Sequence, residues 1–142
     1  MSRKSAGIAK VTEPFRNQGL DPHYLGYFDC FNRGLFFEAH DVLEALWLRD
    51  KYGPNGAFYK GLIQLAGAFV HLQKSRLRPA AALFKLAQAN LEKYPREHEH
   101  LNLAAVGQLI QTWLGNLESA HFEKNPLADG NAPKLALELP LR

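Results

Sequence analysis

Phe36-Phe37-Glu38-Ala39-His40-Asp41-Val42-Leu43-Glu44-Ala45-Leu46-Trp47 reads as one amphipathic helix with two ionisable residues on its apolar face. At about 100° per residue, Phe36, Ala39, Leu43, Leu46 and Trp47 form one flank of a stripe, and Phe37 and Leu48 form the other. His40 and Glu44 fall between these flanks, whereas Glu38, Asp41, Ala45 and Arg49 point toward water. A His and a Glu four residues apart meet on a helix surface. Burying such a pair costs free energy unless partners satisfy it.

Outward from this stretch, the chain punctuates itself into helices. Toward the C-terminus, Lys51-Tyr52-Gly53-Pro54-Asn55-Gly56 is a loop rich in turn residues. The helix predicted over about 57–74 is apolar around most of its circumference, which marks it as central. Its exception is a stripe of Lys60, Gly61, Gln64, Gly67, Ala68 and His71. The small residues there would admit a neighbouring helix, while Gln64 and His71 need polar partners. Pro79 opens a helix that runs to about Lys93, Tyr94-Pro95 stops it, and His98 and His100 are expected in an exposed connection. A last helix covers about 103–122. Leu135, Leu137, Leu139 and Leu141 then alternate, as in an extended segment laid on helices. Toward the N-terminus, Asp21-Pro22 caps and starts a helix that ends at Gly34. The expectation is an all-α fold of about five helices in a compact array of antiparallel hairpins. Residues 21–125 form the helical domain, residues 1–20 a basic flexible arm, and residues 126–142 an extended tail packed on the domain.

The 142 residues, 46% of them hydrophobic and 16 aromatic, suit one domain with a proper core. Cys30 is the only cysteine, so there is neither a disulfide framework nor a cysteine-based zinc site; among Tyr27, Phe28 and Phe31 it reads as a buried thiol. No stretch is long and apolar enough to span a membrane, and residues 1–12 lack a signal-peptide core, so the expected location is cytoplasmic. The net charge of +3 sits in residues 1–20, where Arg3, Lys4, Lys10 and Arg16 face only Glu13. The rest of the chain is neutral, so contact with nucleic acid is expected only as non-specific contact of that arm.

Helices over 36–50 and 57–74 joined by a short loop should pack antiparallel. Counting outward at a 1.5 Å rise sets Glu44 level with Leu62 to Gln64 and His40 level with Gly67 and Ala68, with His71 one turn beyond. Three chemistries fit this alignment. One is a buried hydrogen-bond network, His40–Glu44–Gln64–His71, that fixes how the helices dock. The second is a metal site in which His40, Glu44 and His71 offer two imidazoles and a carboxylate to a divalent ion such as zinc, leaving a position for water. The third is metal-free acid–base chemistry with Glu44 tuning His40. The first makes the chain a small binding or scaffold domain; the others make it a metal-binding protein or a hydrolytic enzyme. An open pocket over His40 favours the second class, and a dry, sealed network favours the first.

Phe31-Asn32-x-Gly34-x-Phe36-Phe37-Glu38-Ala39-His40-Asp41-x-Leu43-Glu44-x-x-Trp47, followed by Gly61-Leu62-Ile63-Gln64-Leu65-Ala66 and His71, resembles the bacterial and archaeal family catalogued as domain of unknown function 309. That family's pattern is His, three residues, Glu, two residues, then Trp or Tyr, carried here by His40, Glu44 and Trp47. The resemblance covers about residues 25–95. It implies a compact helical fold, suggests metal binding by the motif, and adds Trp47 to the candidate set of His40, Glu44, Gln64 and His71. Asp41 stands where relatives are expected to carry Glu.

Overall fold

Helix α4 (Gly56–Gln73) is the hub of the computed structural model, which describes residues 2–138. Phe58, Leu62, Leu65, Ala66, Ala68 and Phe69 on it are wholly buried, as an all-round apolar helix demands. Before it come α1 (Arg3–Thr12), a 3₁₀ turn (Glu13–Phe15), α2 (Pro22–Asn32) and α3 (Phe36–Asp50). After it come α5 (Leu77–Leu91), the two-residue strands β1 (Glu97–His98) and β2 (Leu101–Asn102), and α6 (Leu103–Ser119). The α4–α5 hairpin makes the most extensive helix contact, followed by α3 on α4 and α2 on α3. α6 closes the far side against α5.

Local chemistry explains the breaks. The Asp21 carboxylate caps α2 by accepting from the His23 N–H at 2.8 Å, and Pro22 follows at the first helical position. Gly34 (φ +75°) turns the chain out of α2 while the Leu35 N–H reaches back to the Cys30 carbonyl at 2.9 Å. That reversal lets α3 fold back onto α2. Aromatic edges then fill the space between them: Phe31 packs on Phe36 and Phe69, and Phe69 on Phe84 and Trp113. Cys30 lies in this interior, where burial pushes its thiol up to about 11.

The tail is tied down by side-chain amides. Asn32 donates to the Leu135 carbonyl and accepts from the Leu135 N–H, both at 2.7 Å, acting as one rung of a strand partner. Leu135 is buried, and Leu137 bridges antiparallel to Leu101. Leu139 and Leu141, the other two alternating leucines, lie outside the described residues. No helix among the described residues is long and apolar enough to cross a membrane.

Three details differ from the sequence reading. Arg3–Thr12 is helical, packed on α2 and α3, although its sequence has no sustained apolar period and none of its side chains is fully buried. His98 is not a free surface group: it packs edge-to-face on Phe58 and at a tilt against Tyr94, and its Nε2 lies 2.7 Å from Asn55 Oδ1. The small-residue stripe of α4 receives α5 rather than α3. A Cβ on Gly61 would lie 2.8 Å from the Leu91 side chain, and the alanines of α5 permit that approach.

Candidate functional site

The polar residues of the sequence motif lie along the edge of α3, shared between two sides. His40 and Glu44 face each other across one helical turn, with Nε2 and Oε2 4.0 Å apart. Neither is sealed inside: their side chains are 32% and 27% exposed, and no polar or charged side chain among the described residues is fully buried. Asp41, read as pointing to water, belongs to the group; its Oδ1 lies 3.1 Å from His40 Nδ1. Donor atoms of His40, Asp41 and Glu44 all lie within 4.8 Å of one another.

A cation from another helix is seated on these carboxylates. The Lys4 ammonium, carried by α1, donates to Glu44 Oε1 at 3.0 Å and stands 3.8 Å from Asp41 Oδ1. Partial burial alone would raise the Glu44 carboxyl, but the Lys4 hydrogen bond, the His40 imidazole and the Lys60 charge outweigh it. The carboxyl is left below its ordinary value. The same hydrogen bond raises the Lys4 ammonium above its usual range. Beside this contact, an open cleft of about 630 Å³ lined by Ile8, Val11, Phe37 and Val42 runs along the seam where α1 packs on α3.

Gln64 and His71 lie on the other side of His40. With His40 they border a cleft of about 260 Å³ between α3, α4 and α5. No hydrogen bond among the described residues joins the four residues His40, Glu44, Gln64 and His71 into a chain. Gln64 Oε1 accepts instead from Asn90 Nδ2 of α5 at 2.8 Å. His71 Nδ1 is shielded from solvent and has no partner among the described residues. Covering of the ring, then the charges of Arg76 and Lys74, hold the His71 imidazole below its ordinary value. Trp47 does not reach the cleft directly; its ring carries the Lys60 ammonium, 4.3 Å from the ring centre.

The structure thus brings His40 together with Glu44 on one side and with Gln64 and His71 on the other, and it adds Asp41, Lys4 and Lys60. Asp41 carried a usable signal, since it sits next to His40 and three residues before Glu44. Lys4 carried none, because it reaches Glu44 only through the packing of α1 across forty residues of chain.

Comparison with known proteins agrees with the motif. Residues 24–83 match the family described as Domain of unknown function (DUF309), so the resemblance read from the sequence holds over the stretch that carries it. An uncharacterised protein of Aquifex aeolicus (strain VF5) is 27% identical over 89 residues, which are 63% of this chain. The chain spans 27% of that relative's length. No solved structure matches.

Proposed function

We propose that the protein is a small binding protein whose polar centre on α3 holds a divalent cation. The observation that carries this reading is the convergence of His40, Asp41 and Glu44 beneath the Lys4 ammonium. One imidazole nitrogen and two carboxylates are a donor set suited to manganese or zinc. The site already has a cation in place, which supports the fit: two carboxylates one turn apart repel each other unless a positive charge lies between them. A divalent ion would take over that role at twice the charge, with His40 and Glu44 as ligands and Asp41 either ligating or holding the His40 ring. Lys4 would have to withdraw, which costs little for a side chain half exposed on a helix with no buried residue. When bound, such an ion polarises and acidifies a coordinated water. The protein's proposed place is the cytoplasm, the compartment that suits one thiol and no disulfide.

The scaffold alternative, a cluster that only docks helices, has less support. The residues it needs as a network are bonded elsewhere or unbonded, and the cleft over His40 is open. Calorimetric titration with Mn²⁺ and Zn²⁺, on protein purified without a histidine tag, tests the proposal. Saturating ion should raise stability by about 2.7 kcal/mol at a hundred times its Kd. His40→Ala and Glu44→Gln should each erase that increment, and His71→Ala should not. No binding heat and an unchanged melting temperature with both ions would overturn it.

A further inference from the structure

The cleft on the α4 side of His40 asks for something that the protein itself does not supply. Its walls are apolar, formed by Phe37, Ile63, Val70 and Leu83, and its volume is about 260 Å³. Clefts that take drug-sized ligands run to roughly 300–1,000 Å³. This one suits a single ring or a short chain.

Two of its polar groups can only donate. Lys60 brings an ammonium, fixed over the Trp47 ring and without a carboxylate in ion-pair distance among the described residues. Gln64 spends its oxygen on Asn90, which leaves its NH₂ to donate. His71 borders the cleft with a ring nitrogen that is shielded and has no partner among the described residues, and the His40 ring borders it while its two nitrogens face Asp41 and Glu44. No carboxylate among the described residues borders the cleft. Lys60 and the Gln64 NH₂ therefore present donors with no acceptor paired to them in the cleft.

Gly67 keeps the space open. A Cβ there would lie 3.1 Å from Leu83 Cδ1, so any longer side chain would grow into the cleft.

We propose that this cleft binds a small organic monoanion, a carboxylate carried on one ring or a short apolar chain. The apolar body lies against Phe37, Ile63 and Val70, and the carboxylate oxygens accept from Lys60 and the Gln64 amide. One full positive charge among neutral donors matches a monoanion better than a phosphate dianion. The proposal goes beyond the cation centre and does not depend on it: Lys60 touches that centre only through its charge on Glu44, and Gln64 and His71 take no part in it.

Three probes of one shape separate the chemistry: benzoate, benzamide and benzylamine, added to chelator-treated protein and followed by amide and imidazole NMR. Benzoate should give saturable shifts at the Gln64 side chain, the Gly67 amide and the His71 ring. Benzamide should bind about tenfold more weakly or worse, and benzylamine should not saturate. Lys60→Met keeps the side chain's apolar stem and should weaken benzoate by about tenfold or more. Gly67→Leu should abolish benzoate binding while leaving the Mn²⁺ titration as in the natural protein. If Gly67→Leu fails to fold, Lys60→Met alone decides. Equal binding of benzylamine and benzoate, no saturable shifts with benzoate, or full benzoate affinity in Lys60→Met would each overturn the proposal. Because the chelator removes metal from every sample, none of these outcomes depends on the cation centre.

Discussion

The aromatic interior between α2 and α4 and the polar edge between α3 and α4 are built on the same helices, yet they treat polar atoms in opposite ways. In the interior, three phenols find backbone. Tyr27 donates to the Leu62 carbonyl at 2.7 Å, Tyr24 to Glu99 at 2.8 Å, and Tyr94 to Pro54 at 2.8 Å while it accepts from the Phe58 N–H at 3.0 Å. On the edge, a shielded nitrogen of His71 has no partner among the described residues, and the carboxylates of Asp41 and Glu44 depend on a half-exposed lysine from a helix with no buried residue. A region that satisfies itself internally is there to hold the fold. A region that leaves donors and charges for an outside group to complete is where binding resides.

The largest effects should separate the two regions by stability alone. Phe69 is fully buried against Phe31, Phe36, Phe84 and Trp113, so Phe69→Ala should cost about 3–5 kcal/mol in denaturant unfolding. His40→Ala, one helix away, should fall within about 0.5 kcal/mol of the natural protein because its ring is part exposed and completes no buried network. A His40→Ala cost comparable to that of Phe69→Ala would erase the distinction between interior and edge.

Two glycines of α4 sharpen the contrast. At Gly61 a new Cβ would press on Leu91 Cγ and Asn90 Cβ, so Gly61→Ala should overpack by about 1–3 kcal/mol. At Gly67 it would meet only the flexible end of Leu83, and replacing a helical glycine with alanine gains up to about 1 kcal/mol. The two substitutions should therefore shift the melting temperature in opposite directions. Shifts of the same sign would mean that the cleft beside Gly67 is as tightly packed as the α4–α5 seam.

How far the sequence could be read follows the same division. The interior was legible because burial repeats: the apolar residues of α2, α3, α4 and α6 recur at helical spacing, and Asp21-Pro22, Gly34 and the 51–56 loop mark the breaks. The register count was informative too, since His40 shares its cleft with Gln64, Gly67 and His71. The edge was less legible because the angular projection treats α3 as lying on a single partner. In the fold, α1 covers one side of α3 and α4 the other, so Asp41 is half-buried and Phe37 is 55% exposed. Helix α1 itself has too few apolar residues to announce its packing. The closing of α5 onto Gly61 is a choice among neighbours that periodicity does not rank.

Lys4 offers a smaller effect of two signs. Its ion pairs are exposed, so Lys4→Ala should cost at most about 1 kcal/mol of stability, and less in high salt. The same substitution removes the cation that competes for Asp41 and Glu44. Divalent affinity should rise by up to about fivefold, the equivalent of that 1 kcal/mol. Weaker Mn²⁺ binding in Lys4→Ala would mean that the ammonium assists the ion rather than standing in its place.

The smallest expected effect concerns pH and His71. Unfolding exposes the imidazole and restores its ordinary affinity for a proton, whereas in the fold the covered ring and the nearby Arg76 and Lys74 disfavour the charged form. Between the depressed folded value and the ordinary value of 6.5, the unfolded chain therefore binds more protons than the folded one. Stability from this source is fully present above pH 6.5 and is lost as pH falls through the folded value. Glu44 is lowered too, but a carboxylate's contribution is lost at more acidic pH, below its ordinary 4.5. Denaturant unfolding of the natural protein and of His71→Gln, followed from pH 7.5 down to 5.0, should isolate the histidine. The natural protein should lose more stability over that range. Part of the difference should fade as salt screens the two basic side chains, and the part due to covering of the ring should remain. Parallel profiles would mean that His71 is as well solvated in the fold as in the unfolded chain, and the cleft would lose the group that most needs a partner.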